Sequence, residues 1–219
     1  MKEYILEKVN NTSKYFTFGN IDVHVRDEMS NGLDPKRVLI TIEKVLPRVF
    51  FRNLKKIHIG EFDHFKDRSV NAMYSDSELF ISNQQDNYRD LINDVVHEIA
   101  HHIETQFIEE VYGDETIKKE FLKKRKQLEF ELRSEGLWTN NYDFENIKFD
   151  RNFDDFLYKR VGYKLLTMAT TGIFIRPYAS VSLREYFATG FEAYYIGERD
   201  ALSSISPALY EKVKELSDL

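Results

Sequence analysis

The chain has no cysteine, so disulfides, thiolate metal sites and cysteine nucleophiles are all excluded. Proline and glycine are scarce, 4 and 9 in 219 residues, and no repeat or low-complexity tract is present, so long flexible linkers are not expected. The longest apolar stretch, residues 161–175, is interrupted by Lys164 and several threonines and is too short and polar to span a bilayer. The first residues, Met1-Lys2-Glu3-Tyr4-Ile5-Leu6-Glu7, carry acids where a signal peptide would need an apolar run. The expectation is therefore no membrane partner, and a cytoplasmic protein or one exported by a non-classical or delivery route.

Excess positive charge is also missing. With 31 basic and 37 acidic residues, net −6, the chain does not read as a nucleic-acid binder. Its one basic stretch, Lys118, Lys119, Lys123, Lys124, Arg125 and Lys126, reads as the solvated face of an amphipathic helix, because Phe121, Leu122, Leu128 and Leu132 interleave with it. Apolar residues are plentiful, 42% of the chain with 17 Phe and 13 Tyr, enough for a core without covalent staples. A single domain over 1–219 and a monomeric state are expected.

Periodicity divides that domain. Residues 1–110 read as mixed α/β. Ile21-Asp22-Val23-His24-Val25 alternates like a half-buried strand, and Val38, Leu39, Ile42 and Val45 mark a helix from Pro35 to Leu46. Lys56–Ile59, Ala72–Tyr74 and Leu79–Ser82 read as strands, the last two joined into a hairpin by the turn-like Ser75-Asp76-Ser77-Glu78. Leu91, Ile92, Val95, Val96, Ile99 and Ile103 then form a helical stripe running to about Glu110, with Asp86 or Asn87 as its cap. Residues 111–219 read as mainly helical, at about 115–135, 152–170, 182–196 and 207–217, with a loop over 140–152. The fold class expected is α+β.

His97-Glu98-Ile99-Ala100-His101 is an HExxH motif. Residues four apart share one helix face, so both imidazoles can reach one metal ion, while Glu98 stands about 100° round the axis, where it can touch a bound water as general base. His102 points away from His101, toward either a supporting contact or the surface. His24, His58 and His64 lack ligand partners at useful spacing. A catalytic zinc site also needs a third protein ligand. Position 104 is Glu and 107 is Phe, which excludes the HExxHxxGxxH pattern, and spacing alone leaves two carboxylates in play, Glu120 and Glu185.

The segment Glu185-Tyr186-Phe187-Ala188-Thr189-Gly190-Phe191 resembles the E[FY]FAxxF segment on the glutamate helix of the anthrax lethal factor catalytic domain and the related Pro-Pro endopeptidases. Tyr178, seven residues earlier, matches that family's tyrosine, and Ser206-Pro207-Ala208-Leu209-Tyr210 is similar to the start of its C-terminal helix. The resemblance spans residues 70–219. It implies a zincin-like fold, a small mixed sheet and active-site helix followed by a helical half. It also implies one zinc ion per chain held by His97, His101 and Glu185, with Tyr178 lending its hydroxyl to the reaction. The activity expected is that of a zinc metalloendopeptidase, a toxin- or effector-like one among the possibilities. Its peptide or protein substrate would lie extended along a strand edge supplied by the 72–82 hairpin. Thr189 departs from the family, which has an acid there, so a supporting contact to a histidine is either missing or supplied by another residue, with Glu192 as a candidate. The alternative is a catalytically weak or inactive zinc-binding domain that recognises a protein partner.

Overall fold

The computed structural model describes residues 14–63, 65 and 71–219; the readings made for residues 1–7 and for His64 lie outside them. The chain divides into two compact units, the first ending at His102 and the second beginning at Ile103. Their class is α+β.

The first unit is built on a five-stranded mixed sheet in the order β1-β2-β3-β5-β4. Strands β1 (Lys14–Phe18) and β2 (Ile21–Val25) form an antiparallel hairpin, β2 and β3 (Lys56–Gly60) are parallel, and so are β3 and β5 (Glu78–Ser82). β4 (Ala72–Ser75) closes the edge, antiparallel to β5. The β4–β5 hairpin turns on Asp76 and Ser77, both left-handed at φ 53° and 67°, the pair of conformations that matches strand twist in a two-residue turn. Register puts Val23, Ile57 and Leu79 in one buried row. Helix α1 (Pro35–Val45), capped by Asp34, buries Val38, Leu39 and Ile42. The opposite sheet face carries a row of rings, Tyr15 stacked on His24 at 4.3 Å and His58 on Phe80 at 4.8 Å. β1 has no counterpart among the sequence expectations.

Helix α2 (Tyr88–Gln106) is capped by Asn87, whose Oδ1 accepts from the amides of Arg89 at 2.9 Å and Asp90 at 3.0 Å. It buries Leu91, Val95, Val96 and Ile99, as the stripe predicts. It stops short of Glu110: Phe107, at φ −125° and ψ 42°, breaks it, and the separate α3 (Ile108–Tyr112) follows. The boundary between the two units falls inside α2, between His102 and Ile103.

In the second unit, α4 (Thr116–Ser134) buries Ile117, Phe121, Leu128 and Leu132. The single helix expected over 152–170 is instead α5 (Arg151–Asp155), a π-helical stretch Phe156–Gly162, and α6 (Tyr163–Thr170). Gly162, at φ +79°, makes the break that a residue with a side chain would resist. After a 3₁₀ turn at Pro177–Ser180 comes α7 (Leu183–Ile196), capped by Ser182, then α8 (Arg199–Ile205) and α9 (Pro207–Leu216). Gly190 lets α7 meet α9: a β-carbon there would lie 2.2 Å from Leu209 Cδ2. Among the described residues no helix is long and apolar enough to cross a membrane.

Candidate metal centre

The apolar stripe of α2 turns its other side chains into one small group. His97, Glu98 and His101 each offer a ligand atom, and these atoms all lie within 4.8 Å of one another. The two imidazole rings stand 4.9 Å apart at 85°, the edge-on arrangement that one helical turn produces. His97 is half-buried, while Glu98 and His101 are 8% and 5% exposed. The two imidazoles are borderline-soft nitrogen donors, which suit zinc and suit neither calcium nor magnesium.

His102 is in the core, 1% exposed, and not at the surface. Its Nε2 lies 2.8 Å from the Arg52 carbonyl, which can only accept, so that nitrogen carries the proton and Nδ1 accepts from the Tyr74 hydroxyl at 3.3 Å. Burial pulls its pKa down, against a smaller opposing effect of the Arg52 carbonyl, so the ring is neutral near pH 7. Through Tyr74 it ties edge strand β4 to the helix that carries the motif. His24 and His58 belong to the ring row on the sheet, where His58 Nε2 meets Glu78 Oε2 at 2.8 Å.

The second unit places the other candidates. Glu120 is fully engaged as the cap of α9. Its carboxylate accepts from the amides of Ala208 at 2.9 Å and Leu209 at 3.2 Å, and from the Tyr186 hydroxyl at 2.5 Å. Glu185 stands in the first turn of α7, its amide donating to the Ser182 cap at 3.2 Å. Its neighbour Arg184 pairs with Glu104 at 3.2 Å, and Glu104 also accepts from the Tyr112 hydroxyl at 2.6 Å. Burial, reinforced by the Glu104 carboxylate, pushes the Tyr112 phenol upward and keeps it a donor. Glu104 lies in the last part of α2, which belongs to the second unit.

Tyr178 sits in the Pro177–Ser180 turn and is 39% exposed. Thr189 is buried, and Glu192 is ion-paired with Arg176, which also reaches Glu198 at 3.0 Å. The basic stretch on α4 is not uniformly solvated: Lys124 and Arg125 are 7% and 1% exposed. From sequence, Lys124 and Arg125 have only a place on a solvated face, and Glu104 and Arg176 have no assigned role. Arg125 did carry a signal, since it continues the inward series Ile117, Phe121, Leu128 and Leu132.

No protein-family profile matches the chain, and comparison with curated proteins and with solved structures gives no match either.

Proposed function

We propose that this chain is a zinc-dependent endopeptidase, with the metal on His97 and His101 and with Glu98 as general base. The observation that carries this reading is the helical clustering of the two imidazoles and the Glu98 carboxylate, with one atom of each within 4.8 Å of the others. The third ligand proposed is Glu185, from the resemblance of its segment to the glutamate helix. One feature favours it over Glu120: the Glu120 carboxylate already holds two amides and a phenol.

Zinc held there would acidify a coordinated water and polarise a peptide carbonyl. Glu98 takes the proton of the attacking water and returns it to the departing amine. Its burial keeps bulk solvent from competing for that transfer. The Tyr178 hydroxyl donates to the oxygen on which negative charge collects. An extended peptide adds to a sheet through an edge strand, and β4 is the edge strand tied by Tyr74 to α2.

Metal analysis of the purified protein should give about one zinc per chain. Glu98→Gln should keep that zinc and the fold while losing peptide cleavage, because an amide holds a water but accepts no proton. A chain that takes up no transition metal when zinc is supplied defeats the reading, and a Glu98→Gln variant that cleaves at the parent rate removes Glu98 as base.

A further inference from the structure

The strap that carries Tyr178, residues 173–181, is held by three cations. At its start Lys124 Nζ donates to the Ile173 carbonyl at 2.5 Å and also to that of Ile205 at 2.6 Å. In its middle Arg176 pairs with Glu192 and Glu198. At its end Arg125 donates through one terminal nitrogen to the carbonyls of Ser180 at 2.9 Å and Val181 at 3.2 Å. Its other terminal nitrogen donates to the Asp143 carbonyl at 3.0 Å, which joins the strap to the 139–147 loop. The Leu183 amide donates to the Ile147 carbonyl at 2.9 Å and closes the same junction. Inside the turn, Ser180 Oγ donates to the Pro177 carbonyl at 2.7 Å.

Arg125 is the unusual member. Its guanidinium lies 3.9 Å from the centre of the Phe153 ring, with Phe121 and Phe144 at 5.4 and 5.5 Å. Among the described residues its three hydrogen-bond acceptors are main-chain carbonyls, and its buried Nε has no hydrogen-bond partner. Burial lowers its pKa to about 10, which leaves it charged at neutral pH. Packing alone would be served better by an apolar residue, since the Asp143 carboxylate offsets only part of what burial of the charge costs. What an apolar residue cannot do is hold carbonyls of two chain segments with one rigid fork.

We propose that Arg125 is a positioning residue: it fixes the Pro177–Ser180 turn so that the Tyr178 hydroxyl is in place before substrate arrives. This rests on the reading of Tyr178 as the donor to the developing oxyanion. A donor that must be ordered during the reaction stabilises the transition state less than one already held, which gives a buried arginine in this place its use.

Arg125→Lys keeps the charge and the stem but loses the fork. Two amides report on the turn directly: Ala179, bonded to the Arg176 carbonyl at 3.1 Å, and Val181, bonded to that of Tyr178 at 3.1 Å. In the parent both should be protected from hydrogen exchange far beyond an open loop. In Arg125→Lys both should exchange about 10-fold faster or more, with amides of α9 unchanged. Zinc content and KM should hold while kcat falls about 10–10²-fold, and in a Tyr178→Phe background the same change should cost less than about 2-fold. Loop-like exchange at Ala179 and Val181 in the parent overturns the proposal even if the variant does not fold. So does unchanged exchange in a folded variant, or an undiminished loss of kcat in the Tyr178→Phe background. A parent that holds zinc but cleaves no peptide overturns the peptidase reading and with it the role of Tyr178, while exchange still reports whether Arg125 holds the turn.

Discussion

Replacing Glu120 by alanine separates its structural role from the ligand role that its position in the chain also allows. The carboxylate closes the first turn of α9 through the Ala208 and Leu209 amides and receives the hydroxyl of Tyr186, a fully buried side chain. Loss of a side-chain cap costs about 1 kcal/mol, and loss of a negative charge at a helix N-terminus roughly 0.3–1 more. The Tyr186 hydroxyl is left without this acceptor in the interior, which adds on the order of 1–3 kcal/mol. A total of about 3 kcal/mol corresponds to a fall in Tm of roughly 6–12 °C for a chain of this size. Thermal melts followed by circular dichroism, run on zinc-loaded protein with parallel zinc titrations, measure both quantities. Stability should drop while zinc affinity stays near the parent value. An Glu120→Ala chain that melts like the parent but loses zinc would refute the assignment of Glu120 as a cap.

The complementary change, Glu185→Ala, should weaken zinc binding by at least about 10-fold while the metal-free protein melts within about 1 kcal/mol of the parent, as for an ordinary helix-surface replacement; retained affinity would remove Glu185 from the ligand set. Gly190→Ala should destabilise by about 1–3 kcal/mol, since its methyl group would collide with Leu209, and Leu209→Ala should relieve part of that loss in the double variant. Additive losses would contradict the close approach of α7 and α9. In metal-free protein, stability should fall as pH drops below about 6.5, the ordinary histidine value. The sign follows from a lowered folded-state pKa: below 6.5 the unfolded chain takes a proton on His102 that the folded one does not. The same holds for His24, whose pKa is lowered chiefly by burial, so His102→Gln should reduce the pH slope of denaturant-unfolding free energy without abolishing it. An unchanged slope would mean that His102 is not buried neutral.

Much of this architecture is legible in local sequence, because local rules decide it. Helices α1, α2, α4, α7 and α9 show their apolar stripes, and caps at Asp34, Asn87 and Ser182 have the side chains that accept amides. The motif on α2 needs only a helix to bring its donor atoms together. What escapes is long-range or breaks the usual residue-type rule. β1 has strand-forming residues but lies largely exposed, so no clear alternation marks it. Nothing local ends α2 at Gln106, where neither glycine nor proline stands. Arg125 and His102 occupy inward positions of their helices, yet charge and polarity argue for solvent until the carbonyls that receive them are known. Glu120 finds its partners 66 to 89 residues away, beyond any local signal. Glu185 and Tyr178 are indicated by resemblance to a family, not by periodicity.

Peptide-library cleavage with the purified, zinc-loaded chain, repeated after chelation and after zinc is restored, decides whether this protein is a metallopeptidase. Cleavage within extended peptides is expected, with its loss on chelation, its return with zinc, and none from the Glu98→Gln variant that still carries the metal. Cleavage indifferent to chelation, or no cleavage from a chain holding one zinc ion, would contradict the metallopeptidase reading.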